Sequence, residues 1–146
     1  MKRKILIVED NIGLSQMQKD WFAQAGYDAV TAISEPIARS LIRKTAFDLI
    51  LSDVRLPEGD GISLLEWLRK EKMDIPFIIT TEYVSVPDVV RTIKLGAIDY
   101  LPKPVHREHL LELAEDVFQP MVTVRKKEKV LFRRTSPKIQ RVEKYA

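Results

Sequence analysis

Three short runs of branched apolar residues, Ile5-Leu6-Ile7-Val8, Leu49-Ile50-Leu51 and Phe77-Ile78-Ile79, constrain this chain more than any other feature. None alternates with polar residues, which is how strands covered on both faces read. Two weaker strands fit the same scheme, Ala29-Val30-Thr31 after Gly26 and Ile98-Asp99-Tyr100-Leu101 after Gly96. Between the strands, apolar residues recur three and four apart, as on one face of a helix. The five sets are Leu14, Met17, Trp21, Phe22 and Ala25; Ile37, Ala38, Leu41 and Ile42; Ile62, Leu65 and Leu68; Val86, Val89, Val90 and Ile93; and Leu110, Leu113, Ala114 and Val117. Ser34 suits an N-cap with Pro36 in the first turn, and Gly26 and Gly96 sit where glycines end helices.

Five strands alternating with five helices predict an α/β fold, because parallel strands need crossovers and the crossovers cover the sheet. The expected architecture is a doubly wound, five-stranded parallel sheet of order 2-1-3-4-5. Pro120 follows the fifth helical set, so the domain is expected over residues 1–118, with a tail over 119–146. The chain has 146 residues, 45% of them hydrophobic and 31% charged, which suits one domain with a continuous core. With no cysteine there is neither a disulfide framework nor a thiolate metal site. The first apolar run meets Glu9-Asp10 too early for a signal peptide, and no stretch is long enough to span a bilayer. The expectation is a soluble, cytoplasmic chain without a membrane partner.

The net charge of +3 conceals an asymmetry. Residues 119–146 hold nine Lys/Arg against two Asp/Glu, leaving 15 against 19 for residues 1–118, so an acidic body carries a basic tail. That tail is too short for a helix-turn-helix module with its supporting helices, and the chain has no glycine-rich phosphate loop. It is read as a basic linker, with no direct nucleic-acid binding by this chain.

In an open α/β sheet the functional crevice lies beyond the carboxyl ends of the strands. After the first predicted strand come Glu9 and Asp10, after the third Asp53, after the fourth Thr80 and Thr81, and after the fifth Lys103-Pro104. Three carboxylates converging on one crevice repel one another, and a hard divalent cation bound between them makes that tolerable. Mg²⁺ fits a site of carboxylates and waters with positions left open for phosphate oxygens. A carboxylate attacking phosphorus forms an acyl phosphate, while a hydroxyl (Thr81) and an ammonium (Lys103) are available to bind the phosphoryl oxygens. Each residue alone has an ordinary explanation. Glu9-Asp10 could favour a helix N-terminus, Asp53 could cap a turn, and Lys103 could be a solvated charge. It is their joint occurrence at nearly every strand end that points to phosphoryl chemistry.

Glu9-Asp10, Asp53 with Leu56-Pro57 and Asp60-Gly61 after it, Thr81 and Lys103-Pro104 together resemble the receiver-domain signature of two-component response regulators, over residues 4 to about 118. The resemblance implies a flavodoxin-like fold and a phosphorylation-activated switch. It makes Asp53 the phosphoacceptor and assigns Mg²⁺ to Glu9, Asp10, Asp53 and the backbone carbonyl of Arg55. It has Thr81 and Lys103 contact the phosphoryl group, makes Thr81 and Tyr100 the switch pair, and names a sensor histidine kinase as the donor. Such a domain is no enzyme beyond catalysing its own phosphorylation and dephosphorylation.

Two positions depart from the family pattern. Glu82 stands where a small residue is usual, so a modulating effect on acyl-phosphate lifetime is expected, and Val84 replaces a common glycine. Thr135 to Val142 is similar to the segment preceding the ATPase domain in activators of the nitrogen regulatory protein C type. That similarity implies a transcription regulator whose ATPase and DNA-binding domains are absent from this chain, and a linker that supports a homodimer. The alternatives are an aspartyl-phosphate phosphatase or phosphotransferase, and a receiver-like module that is never phosphorylated. The first lacks its usual second Asp, since Arg55 holds that place. His106 and His109 are assigned no role, and Trp21, Phe22 and Trp67 are read as packing.

Overall fold

The computed structural model describes residues 2–119. In chain order the elements are β1 (Lys4–Val8), α1 (Ile12–Gln24), β2 (Asp28–Ala32), α2 (Glu35–Lys44), β3 (Leu49–Asp53), β4 (Arg55–Leu56), β5 (Gly59–Asp60), α3 (Gly61–Lys70), β6 (Phe77–Thr81), α4 (Val86–Lys94), β7 (Asp99–Pro102) and α5 (Arg107–Val117). The five long strands form one parallel sheet of order β2-β1-β3-β6-β7, the expected 2-1-3-4-5 once the small β4–β5 hairpin is set aside. That hairpin, with Arg55 opposite Asp60 and Leu56 opposite Gly59, was not expected from the sequence. Contacts divide the chain into two units, Met1–Leu111 and Glu112–Ala146, and the second is described only as far as Gln119.

The non-alternating runs are buried on both sides, as expected. Leu6, Val8, Ile50, Phe77 and Ile79 join Ala38 and Ile42 of α2 and Ile62, Leu65 and Leu68 of α3 in one core cluster. Their strand neighbours Ile5, Ile7, Leu49, Leu51 and Ile78, on the opposite face by alternation, are also fully or almost fully buried. Caps fix the helix starts: Asn11 accepts from the Leu14 amide, Ser34 from Ile37, Asp60 from Ser63 and Ser85 from Asp88. Glu9-Asp10 is therefore not the cap of α1, since Asn11 fills that place. Gly26 and Gly96 follow α1 and α4 at φ +95° and +83°, the left-handed region in which glycine ends helices without strain.

Two helices present a different face from the one their apolar spacing suggests. In α1 the buried residues are Ser15, Gln18 and Phe22, while Met17 is 42% exposed. In α4 only Thr92 is buried, and Val86, Val90 and Ile93 are 72%, 46% and 54% exposed. Spacing reveals the helical period but not which face meets the sheet, and small or hydroxyl side chains allow the closer approach.

Candidate functional site

Backbone bonds bring the strand ends into line. The Glu9 amide donates to Ala32 O, Val54 to Thr80 O and Lys103 to Thr81 O, each extending the sheet ladder one residue past a strand. Asp53 closes the central strand β3 opposite Thr80, and Glu9 and Asp10 leave the adjacent β1. Lys103 leaves β7, two strands from β3 in the sheet order, and its long side chain crosses the end of β6 to the carboxylates.

Behind Asp53 the backbone is packed without slack. A Cβ at Gly61 would lie 2.2 Å from the Asp53 carbonyl oxygen and 2.8 Å from Ser52 Oγ, and the Gly61 amide donates to Val54 O. The Asp60-Gly61 pair thus has two local tasks. Asp60 caps α3, and Gly61 lets the start of α3 press against the end of β3.

Lys103 Nζ donates to Glu9 Oε1 and Asp53 Oδ2, both at 2.9 Å, and the three side chains are almost wholly withdrawn from solvent. The other Glu9 oxygen accepts from the Asn11 amide at 3.1 Å. Burial raises the Glu9 pKa above the ordinary carboxylate value, opposed by the hydrogen bonds from Lys103 and Asn11. Burial would lower the Lys103 pKa, but its bonds to Glu9 and Asp53 outweigh that and raise it, so the ammonium is held charged.

Asp10 is exposed at the rim, yet one oxygen each of Glu9, Asp10 and Asp53 lies within 4.8 Å of the others. All three are hard oxygen donors, two of them buried, and they open onto a cleft of about 380 Å³ lined also by Asn11, Leu14, Arg55, Glu82 and Lys103. The donor set suits Mg²⁺ or a similar hard cation. Glu82 is exposed and faces this cleft, adding a fourth carboxylate to its wall.

Thr81 is buried at the end of β6, but its hydroxyl is engaged elsewhere. It donates to Tyr83 O at 3.0 Å and accepts from the Tyr83 amide at 3.1 Å. Tyr100 is partly buried against the core, and its hydroxyl accepts from the Ser85 amide at 3.5 Å, tying β7 to the cap of α4. The expected pair is thus connected through the β6–α4 loop. His106 and His109 are exposed. Phe22 is fully buried, while Trp21 and Trp67 are partly so.

Two features have no counterpart in the sequence reading. The Arg55 guanidinium stacks on the Tyr83 ring at 4.8 Å, joining β4 to the segment between β6 and α4. Glu35 is buried against the β4–β5 hairpin, where one oxygen accepts from the Asp60 amide. In sequence Glu35 is an ordinary acid in a first helical turn, so no local signal distinguishes it.

Residues 5–115 match the response regulator receiver domain family, and the chain belongs to it. It is 36% identical to the transcriptional regulatory protein ZraR of Salmonella typhimurium over 118 residues, covering 78% of this chain and 26% of that protein. Identity to the response regulator protein PilR of Pseudomonas aeruginosa is 32%, covering 77% of this chain and 25% of that protein. The chain thus spans about a quarter of the length of these curated relatives. Among solved structures, the Francisella response regulator 1452 receiver domain superposes with a TM-score of 0.77 at 31% identity, covering 82% of this chain and 99% of that one. The non-phosphorylated HemR receiver domain of Leptospira biflexa gives 0.74 at 38% identity, with coverage of 81% and 95%.

Proposed function

We propose that this receiver domain is a phosphorylation-activated signalling switch whose phosphoacceptor is Asp53 and whose donor is a phosphohistidine on a sensor histidine kinase. The observation that carries this reading is Lys103 Nζ held 2.9 Å from both Glu9 and Asp53, beside a third carboxylate, at the mouth of an open cleft. In the transfer, an Asp53 carboxylate oxygen forms a bond to phosphorus as the phosphorus–nitrogen bond breaks. The departing imidazole keeps the electron pair and takes a proton. Glu9, Asp10, Asp53 and the Arg55 carbonyl would hold Mg²⁺, which when bound offsets negative charge on the phosphoryl group. Lys103 then has a phosphoryl oxygen to bind in place of a free carboxylate.

Thr81 is the proposed sensor of that event. Turning its hydroxyl inward requires giving up both bonds to Tyr83, which frees the loop that Tyr100 touches through Ser85. The phosphoryl group then favours one arrangement over the other because it offers Thr81 a partner in only one of them. The downstream output is transcription regulation in the cytoplasm, through ATPase and DNA-binding domains beyond this chain, as in activators of the nitrogen regulatory protein C type. Residues 119–146 serve as a linker that supports a homodimer. The phosphatase alternative lacks support at residue 55, where an arginine stacked on Tyr83 stands in place of a second acid.

Incubation with a small acyl-phosphate donor, with and without Mg²⁺, followed by intact mass measurement, tests the reading. The wild type is expected to gain one phosphoryl group only with Mg²⁺, and Asp53→Asn none. Equal phosphorylation of the two proteins overturns the assignment.

A further inference from the structure

The β4–β5 hairpin begins with Arg55, whose carbonyl is the one backbone ligand proposed for the metal, so whatever fixes the hairpin fixes that ligand. Its two ends are closed together where the Gly61 amide donates to Val54 O at 2.8 Å. Its second strand is held in addition by α2. Glu35 Oε1 accepts from the Asp60 amide at 2.8 Å, and Asp60 is the register partner of Arg55.

Glu35 is almost wholly buried, and neither of its oxygens is spare. Oε2 accepts from the Arg39 guanidinium through both Nε and a terminal nitrogen, and Arg39 in turn lies over the Trp67 ring at 5.1 Å. A buried carboxylate so paired has one orientation, which makes it a rigid acceptor for the hairpin amide. The hairpin is shaped to receive it. A Cβ at Gly59 would lie 1.7 Å from Glu35 Oε1 and 2.7 Å from its Cδ, so the carboxylate occupies the volume that a side chain at 59 would need.

We propose that Glu35 is a positioning residue for the metal site: by binding the Asp60 amide in the space left by Gly59, it sets the hairpin that presents the Arg55 carbonyl. This rests on the metal-binding reading above. Groups that orient metal ligands without touching the metal commonly change affinity by about 10- to 100-fold when removed.

The test is Mg²⁺ titration by calorimetry on wild type, Glu35→Ala and Glu35→Gln, with Asp60 amide hydrogen exchange measured without metal and far-UV circular dichroism confirming the fold. Glu35→Ala is expected to bind Mg²⁺ about tenfold more weakly, at the lower end of that range, and to exchange its Asp60 amide faster. Glu35→Gln keeps one acceptor oxygen, for which the Asp60 amide and the Arg39 guanidinium then compete, so its Mg²⁺ affinity and Asp60 amide exchange are expected to fall between those of wild type and Glu35→Ala. Gly59→Ala is expected to weaken Mg²⁺ binding as well, since its methyl group meets the Glu35 carboxylate and φ at residue 59 is +155°. A folded Glu35→Ala protein with wild-type Mg²⁺ affinity overturns the proposal. A wild type that binds no Mg²⁺ instead overturns the metal reading on which it rests.

Discussion

At Lys103 a single ammonium separates two buried carboxylates, so its removal leaves Glu9 and Asp53 facing each other without compensation. Breaking a fully buried pair costs roughly 3–5 kcal/mol, and because these groups border an open cleft the expected loss for Lys103→Met is smaller, about 2 kcal/mol. Urea unfolding with and without Mg²⁺ checks this. Without metal the variant should be less stable than wild type, and Mg²⁺ should restore much of the difference by binding the folded state alone. Equal stability of the two proteins in metal-free buffer would contradict the electrostatic account. Glu82 acts in the opposite sense, as an exposed carboxylate on the wall of an already acidic cleft. Glu82→Ala should raise the phosphorylation rate by a small anionic donor severalfold at low ionic strength, with the gain shrinking as salt is added. The same variant should change the decay rate of the phosphorylated protein, and equal rates would exclude a modulating role. Glu9, Asp53 and Lys103 were legible in the sequence because each is a charged group within two residues of the end of a predicted strand, and Glu82 because it stands where the family usually has a small residue. Glu35 was not, because its role depends on a hairpin from β3 to α3 that no periodicity reveals.

The elements that present the site depend on close backbone approach more than on side-chain chemistry. Gly61→Ala would drive a methyl group into the Asp53 carbonyl, which belongs to the central strand and cannot swing aside as a flexible side chain would. The expected cost is at least about 2 kcal/mol, at the upper end of ordinary overpacking, with Mg²⁺ binding weakened as well. Thermal melts and metal titration on that variant measure both effects. The helices separate period from orientation. The spacing of Val86, Val90 and Ile93 correctly predicts α4, but these residues lie outward while Thr92 faces in. Ile93→Ser should therefore change stability by no more than about 0.5 kcal/mol. Leu65→Ala, in the core cluster, should cost about 2–5 kcal/mol. A large loss from Ile93→Ser would show that α4 is covered by something other than solvent. Strand existence was readable because double burial produces continuous apolar runs, and strand order because strands alternating with helices in a doubly wound sheet adopt few orders. The buried faces of α2 and α3 were readable too, from Ala38, Ile42, Ile62, Leu65 and Leu68, but those of α1 and α4 were not, because a helix packed by Ser15, Gln18 or Thr92 hides its buried side among polar residues.

For the whole molecule, the acidic body and the basic tail make separate claims. Residues 120–146 lie outside the described residues, so the linker, its similarity to the nitrogen regulatory protein C type and the homodimer rest on sequence alone. Among the described residues no helix is long and apolar enough to cross a membrane. If the tail supports self-association, sedimentation should find the full chain a dimer and a chain ending at residue 118 a monomer, while both accept phosphoryl groups equally well. An unchanged monomer in both would remove the dimer. The phosphoacceptor assignment does not depend on that outcome, because every residue it uses lies within residues 9–103. An acyl phosphate is reduced by borohydride to an alcohol, so trapping the phosphorylated chain and sequencing its peptides by mass spectrometry identifies the modified carboxylate directly. The expected product is homoserine at residue 53 and nowhere else; 5-hydroxynorvaline at residue 9, homoserine at residue 10, or no reduced residue in a chain that has gained phosphate would contradict the account.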